Sequence, residues 1–169
     1  GAVIDICDNY MDIFSVSASG VTIKNIVFKN AEGCMIHFSG SGTVENCNFD
    51  NAGFLSFNCD NANVINCVFN NTVMGAALYS KADNTIISDC TFTNNGVFSE
   101  WSISAGAVYV TGNNTIISNC YFEGNSASSS LGNAIGGAVY GDGNLSILNS
   151  TFISNTADSL HDSSSFGGA

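Results

Sequence analysis

The chain has 169 residues and a formal net charge of −11, with 14 acidic residues against only three lysines and no arginine. This charge excludes a nucleic-acid binder, which needs a cationic stripe for the phosphates, and it disfavours an anionic membrane surface. Acidity at this level mainly keeps an apolar, strand-rich protein soluble. No run of 18 apolar residues occurs, so the sequence predicts no membrane span in this segment.

One short phrase recurs six times along the chain and closes on a phenylalanine each time. The steps between these phenylalanines are 21, 20, 23, 30 and 30 residues. Self-similarity at such a period is typical of stacked repeats, in which each repeat packs on its neighbours. The six copies are Asn25–Phe28, Asn46–Phe49, Asn66–Phe69, Asp89–Phe92, Asn119–Phe122 and Asn149–Phe152.

Each repeat contains two kinds of strand signal. The run before each phenylalanine alternates apolar and polar residues, which predicts a strand with one buried face. Asn66 interrupts this alternation and predicts a bend in left-handed backbone conformation, which asparagine tolerates. A small-residue phrase then starts a further strand, and a polar turn follows it. The copies of this phrase are Gly33–Phe38, Gly53–Phe57, Gly75–Tyr79, Gly106–Tyr109 and Gly136–Tyr140.

Two or three short strands in every 20 to 30 residues predict an all-β fold, a right-handed parallel β-helix (solenoid) of about six to seven coils. A helical solenoid would need a 3.6-residue period, which is absent. A β-sandwich also suits short strands but does not require phenylalanine at one fixed place. The predicted internal columns are Phe28, Phe49, Phe69, Phe92, Phe122 and Phe152, then Cys47, Cys67, Cys90 and Cys120 with Ile26 and Ser150, and an asparagine ladder at Asn25, Asn46, Asn66, Asp89, Asn119 and Asn149.

Residues 1–169 are expected to form a single β-helix domain. The first residues, Gly1-Ala2-Val3, and the last, Gly167-Gly168-Ala169, both match the small-residue phrase. No polar capping repeat is evident, although solenoids generally need one. We therefore expect a segment of a longer repeat array, or self-association through open β-helix ends.

The later repeats resemble two families of surface proteins. Phe92-Thr93-Asn94-Asn95 and Phe152-Ile153-Ser154-Asn155 match a Phe-x-x-Asn motif, and Gly136-Gly137-Ala138-Val139 matches a Gly-Gly-Ala-[Ile/Leu/Val] motif. Both motifs are similar to those of adhesin-like surface proteins of methanogenic archaea and of chlamydial polymorphic outer membrane proteins. The resemblance implies an extracellular or cell-surface β-helix used for adhesion or cell-envelope structure.

Enzymatic function is the main alternative, since β-helices often carry polysaccharide lyases and glycoside hydrolases. A lyase needs a basic side chain, and a glycosidase needs two carboxylates at a defined separation. The three lysines make a base scarce, and the acids are scattered over turns, with Asp5 and Asp8 or Asp158 and Asp162 as candidate pairs. We therefore predict a non-catalytic protein.

The cysteines and turns suggest no cofactor. Paired Cys-x-x-Cys spacings are absent, which disfavours zinc, although one disulfide between adjacent coils remains open. Asp142 lies in a glycine-rich turn that resembles calcium-binding turns. Sequons at Asn70, Asn113 and Asn144 are expected at turns, where they would accept sugar, and Asn149 is expected to be the least accessible.

The candidate ligand site lies in the longer repeats, where extra residues follow the Phe-x-x-Asn motif. Insertions at one repeat position should project from one face, often the binding face. Phe98, Glu100 and Trp101 are predicted to contact a glycan or a protein of a host or microbial surface. The alternative is that Phe98 and Trp101 fold back over the helix side. His161 with Asp162, in the last insertion, is a further candidate, and His37 is expected to face outward.

Overall fold

The structure, a computed structural model, describes residues 1–5, 12–31, 33–73, 75–160 and 164–167. These residues form short strands and no helix, and they wind into seven successive coils. The described residues form three strands in each of coils 1 to 4, five in each of coils 5 and 6, and three in coil 7. The prediction of about six to seven coils is confirmed.

The strands follow one another in the same order around each coil. Coil 1 contains β1 (Ala2–Asp5), β2 (Phe14–Val16) and β3 (Val21–Lys24); coil 2, β4 (Ile26–Lys29), β5 (Cys34–Phe38) and β6 (Gly42–Glu45); coil 3, β7 (Asn48–Asp50), β8 (Phe54–Phe57) and β9 (Ala62–Ile65); coil 4, β10 (Val68–Asn70), β11 (Leu78–Ser80) and β12 (Ile86–Ser88). Coil 5 contains β13 (Thr91–Thr93), β14 (Gly96–Ser99), β15 (Ile103–Ser104), β16 (Val108–Val110) and β17 (Thr115–Ser118); coil 6, β18 (Tyr121–Glu123), β19 (Ser126–Ser129), β20 (Ala134–Ile135), β21 (Val139–Gly141) and β22 (Leu145–Leu148); coil 7, β23 (Thr151–Ile153), β24 (Thr156–Ser159) and β25 (Ser165–Phe166).

Equivalent strands of successive coils pair in parallel and form the sides of a column. The first side is the seven-stranded sheet β1-β4-β7-β10-β13-β18-β23, which carries the recurring phenylalanine. The second is the sheet β2-β5-β8-β11-β16-β21, and the third is the sheet β3-β6-β9-β12-β17-β22. This all-parallel stacking confirms a parallel β-helix, because a β-sandwich would pair antiparallel strands.

The bend between the third and first sides is set by the predicted asparagine position. The backbone φ there is positive at each of the six described bends, for example 50° at Asn66, 56° at Asp89 and 54° at Asn119. The corresponding side chains are exposed, and they form a less complete ladder than predicted. In hydrogen bonds between coils, Asn66 Nδ2 donates to Asn46 Oδ1 at 2.7 Å and Asn119 Nδ2 donates to Asp89 Oδ1 at 3.2 Å. The asparagines are therefore selected chiefly by the left-handed backbone.

The predicted phenylalanine column fills the interior. Phe69 stacks on Phe49 at 4.7 Å between ring centroids and on Phe92 at 4.8 Å, with interplanar angles of 2°. The rings from Phe28 to Phe122 are completely buried, and Phe152 in coil 7 is partly buried. The spacing equals the distance between paired strands, so each coil adds one ring in register. A second internal stack, Phe38 on Phe57 at 4.7 Å, was not predicted.

The inserted segments form strands of their own, which the sequence analysis did not predict. They pair with one another in two extra parallel sheets, β14-β19-β24 and β15-β20-β25. Gly106 stands where the second of these sheets returns to the column, and a Cβ there would lie 2.1 Å from the carbonyl oxygen of Gly137. Glycine is required at this corner because neighbouring coils approach too closely for any side chain.

Candidate functional site

The corner at which the inserted strands leave the column is held by buried asparagines. In a short coil the backbone pairs directly, as Ala31 N–H donates to the carbonyl of Asn51. In the longer coils Asn125 takes over: its Nδ2 donates to the carbonyl of Phe92, and its Oδ1 accepts from the N–H and Nδ2 of Asn95. Asn155 repeats the arrangement one coil later. The asparagine that forms this ladder is the last residue of the Phe-x-x-Asn motif, and its structural role was not predicted.

The inserted segments carry four exposed apolar side chains, which we call the ledge: Phe98 on β14, and Trp101, Leu131 and Leu160 just after β14, β19 and β24. Phe98 and Trp101 are 63% and 70% exposed, and the two leucines are more than half exposed. Leu131 follows Trp101 one coil later, since its N–H donates to the carbonyl of Glu100 at 3.0 Å. Exposed apolar side chains grouped on one surface are typical of an interaction site.

The turn that carries Trp101 is anchored although its ring is exposed. The N–H of Trp101 donates to Ser99 Oγ at 3.1 Å, and its carbonyl accepts from Ser129 Oγ at 2.9 Å. Ser129 is completely buried, and its Oγ also accepts from the N–H of Gly132. The indole is therefore presented from a fixed backbone, which lowers the entropy lost when a ligand binds.

A cleft of about 280 Å³ lies beside the ledge. The cleft forms because the described residues of coil 4 include no inserted strand, so the first inserted strand of coil 5 has no paired strand below it. The first inserted strand meets coil 4 through the N–H of Gly96, which donates to the carbonyl of Thr72 at 2.7 Å. Val73, itself 63% exposed, and Phe98 both line this cleft.

The structure brings together part of the predicted ligand site. Phe98, Glu100 and Trp101 are exposed on one inserted segment, and the alternative that Phe98 and Trp101 cover the helix side is wrong. His161 and Asp162 lie outside the described residues, and so does Asp8. Neither candidate carboxylate pair is therefore described as a pair, although Asp158 is exposed on β24.

Two of the other predicted polar sites, Asn70 and Asn149, differ from expectation, whereas Asn113, Asn144 and Asp142 lie between strands as expected. Asn70 is the half-buried last residue of β10 and not a turn residue, and Thr93 Oγ1 donates to its amide oxygen. Asn113 and Asn144 are exposed, and so is Asn149, because its bend points outward. Asp142 is exposed in its turn. Within the described ranges, no three His, Cys, Asp or Glu side chains gather as a metal site.

The cysteine column is internal and its thiols are free. Cys47, Cys67, Cys90 and Cys120 are at most 3% exposed, and no disulfide joins these four residues. Each Sγ donates to the carbonyl two residues earlier, at 3.1 Å for Cys90 and Ser88. Hydrogen bonding to neighbouring thiols and burial raise the pKa of Cys47 and Cys90. The buried thiols of Cys47 and Cys90 are therefore neutral and act as small apolar groups, while hydrogen bonds with Cys47 and Cys90 lower the pKa of Cys67.

A tyrosine row on the outside of the second sheet was not predicted, although the small-residue phrase contains it. Tyr79, Tyr109 and Tyr140 align in register, with ring centroids 5.4 and 5.1 Å apart. His37 is also outward on this sheet, as expected, between the buried Ile36 and Phe38. A cleft of about 240 Å³ lies below Tyr79.

Comparison with known proteins supports this architecture. The family model of the right handed beta helix region matches residues 4–108, well over half of the chain. The chain belongs to the right-handed β-helix family. Neither a curated protein nor a solved structure matches the chain. Among the described residues of this β-helix, no helix is long and apolar enough to cross a membrane.

Proposed function

We propose that this chain is a non-catalytic β-helix module that acts outside the cell or at its surface, in adhesion or in cell-envelope structure. The observation that carries the proposal is the ledge. Its four apolar side chains are exposed in the coils that depart from the basic three-strand plan. Exposed apolar side chains contribute little to the stability of the fold. Several such side chains on a rigid scaffold therefore indicate a surface that contacts another molecule.

The composition of the ledge favours a protein surface as its ligand over a bare glycan. Trp101 and Phe98 suit either ligand. Leu131 and Leu160 offer only apolar area, which favours an apolar partner surface because leucine cannot hydrogen-bond to sugar hydroxyls. The exposed carboxylates of Glu100 and Asp158 flank the ledge. Apolar contacts at the centre with charges at the edge are the usual anatomy of protein interfaces, so a partner with a basic rim fits best.

The proposal is tested by measuring adhesion of beads coated with the chain to purified surface proteins and to a glycan array. The double variant Trp101→Ala/Leu131→Ala should reduce adhesion at least tenfold and leave the melting temperature nearly unchanged. The matched control is Ile86→Ala/Ile116→Ala, which removes two exposed isoleucines aligned in adjacent coils on the third sheet. Equal adhesion by both double variants would contradict a role of the ledge.

The enzyme alternative is tested on the same preparation. The chain is incubated with neutral and acidic polysaccharides, and reducing and unsaturated sugar ends are assayed. Release of either product would replace the proposal with a polysaccharide lyase or glycoside hydrolase. Light scattering covers the remaining alternative, a self-assembling fibre subunit, because end-to-end stacking requires oligomers that grow with concentration.

A further inference from the structure

The tyrosine row on the second sheet stops abruptly at coil 3. Tyr140, Tyr109 and Tyr79 occupy one register position in coils 6, 5 and 4, and Ser56 occupies it in coil 3. A hydroxymethyl group thus replaces a phenol ring, while the backbone continues in the same parallel pairing. At this register position no ring of coil 3 lies below Tyr79, and Phe54, two residues before Ser56 in the chain, contacts Tyr79 instead.

The missing ring leaves a cleft with aromatic walls. Its volume is about 240 Å³, and it is lined by Phe54, Ser56, Asn58, Tyr79 and Lys81. Phe54 meets Tyr79 edge to face, with centroids 5.1 Å apart and an interplanar angle of 65°. A cavity of about 150 Å³ is enough for benzene, so this cleft has room for one substituted aromatic ring. A ring there would stack on Tyr79 and contact Phe54, in the offset and edge geometries that aromatic groups prefer.

Lys81 gives the cleft a positive charge that no carboxylate neutralises. Its ammonium group makes no ion pair with any described residue. The acids nearest in sequence are engaged elsewhere: Asp60 Oδ1 accepts from the N–H of Asp83, and Asp83 Oδ1 accepts from the N–H of Asn113. An unpaired ammonium beside an apolar wall attracts a single anionic group, and the net charge of −11 repels any polyanion.

We propose that this cleft binds a small aromatic monocarboxylate. Its ring takes the place of the missing tyrosine ring below Tyr79, and its carboxylate pairs with the ammonium of Lys81. Ser56 Oγ and the Asn58 amide offer further hydrogen bonds at the edge of the ring. The site is on a different sheet from the ledge and does not depend on the proposed function.

The test uses benzoate as the probe, with benzamide as its neutral isostere and glucuronate as an anion without an aromatic ring. Binding is followed by amide NMR shifts of Ser56, Tyr79 and Lys81 in the whole chain. A ligand of about nine non-hydrogen atoms is expected to bind with a Kd on the order of 1 mM. Benzoate should bind at least five times more tightly than benzamide or glucuronate.

Two variants and a control make the test specific. Ser56→Tyr should fill the cleft, abolish the benzoate shifts and preserve the melting temperature, because it extends an existing column. Lys81→Gln should reduce benzoate binding to the level of benzamide, and Lys29→Gln, on the first sheet, should leave it unchanged. Trp101→Ala should also leave it unchanged, which separates this site from the ledge.

Several results would overturn the proposal. These are an absence of shifts at Ser56 and Tyr79 up to about 20 mM benzoate, equal affinity for benzamide, and affinity for glucuronate equal to that for benzoate. Unaltered benzoate binding by both Ser56→Tyr and Lys81→Gln would also place the ligand elsewhere. If Ser56→Tyr fails to fold, Lys81→Gln and the benzamide comparison decide the outcome.

Discussion

Asn125 Nδ2 donates to Oδ1 of Asn155 in the next coil, at 2.8 Å, and both side chains are buried. The same Nδ2 donates to the carbonyl of Phe92 in the coil before, at 3.0 Å. One amide thus joins three coils at the corner where the inserted strands begin. Ala31 and Ala52 occupy this position in coils without insertions, so the asparagines accompany the insertion itself.

Replacing Asn125 with alanine should lower the free energy of unfolding by about 3–5 kcal/mol. The change leaves the N–H of Asn95 and the carbonyl of Phe92 buried without these partners, at about 1–3 kcal/mol for each. Urea denaturation measures the loss. The control is Asn119→Gly, which removes an exposed amide from the other asparagine position while keeping its positive φ, and it should cost less than about 1 kcal/mol. Similar losses in the two variants would contradict the distinction.

The phenylalanine column should be the largest single source of stability per residue. Phe69→Ala removes a completely buried ring that stacks on Phe49 and Phe92, and it should cost about 3–5 kcal/mol, as other core aromatic truncations do. The melting temperature and urea midpoint check this value. Phe98→Ala, at an exposed position, is the matched control and should change stability by less than about 0.5 kcal/mol.

The column could be predicted from the sequence because it depends on pairing between equivalent residues. Phenylalanine recurs at one place in every repeat, and only stacking of coils places such residues in contact. The left-handed bends were predictable for the same reason, since asparagine at a break in alternation has a local backbone cause. Both features follow from one repeat and its neighbour.

The candidate site was less predictable because it depends on departures from the repeat. The inserted segments contain short strands whose pairing partners are other insertions, so no strand signal within Ser126–Ser129 reveals the extra sheet. The cleft at Ser56 depends on a serine that stands in place of a ring between His37 of coil 2 and Tyr79 of coil 4. Trp101 could be identified as a candidate from its residue type, but its exposure could be established only from the register of the neighbouring coils.

Trp101 is the only tryptophan, so its fluorescence reports directly on the ledge. At 70% exposure the emission maximum should be that of a solvated indole, and acrylamide should quench it efficiently. Binding of a partner at the ledge should shift the emission to the blue and protect it from quenching. Blue-shifted emission in the free chain would contradict the exposed position.

Alkaline pH should destabilise the fold partly through Tyr109. Burial, and secondarily the neighbouring Tyr140 and Asp142, raise the pKa of Tyr109 above its usual value of about 10. The neutral phenol therefore stabilises the folded state fully below pH ~10, and this contribution is lost as the pH rises through the folded pKa. Tyr109→Phe should show a smaller fall in unfolding free energy between pH ~8 and pH ~11 than the unmodified chain. An identical fall in both proteins would contradict the shift.

Thiol labelling separates the internal cysteine column from the surface. Cys59 is half-buried in a turn, whereas Cys47, Cys67, Cys90 and Cys120 are at most 3% exposed. A neutral maleimide should therefore modify Cys59 in the native chain and leave the column unmodified, since reaction requires an accessible thiolate. Peptide mapping by mass spectrometry assigns the labels, and repetition in urea should modify all seven cysteines of the chain. Native labelling of Cys67 or Cys90 at the rate of Cys59 would mean that the coils open far more readily than a continuously stacked interior allows.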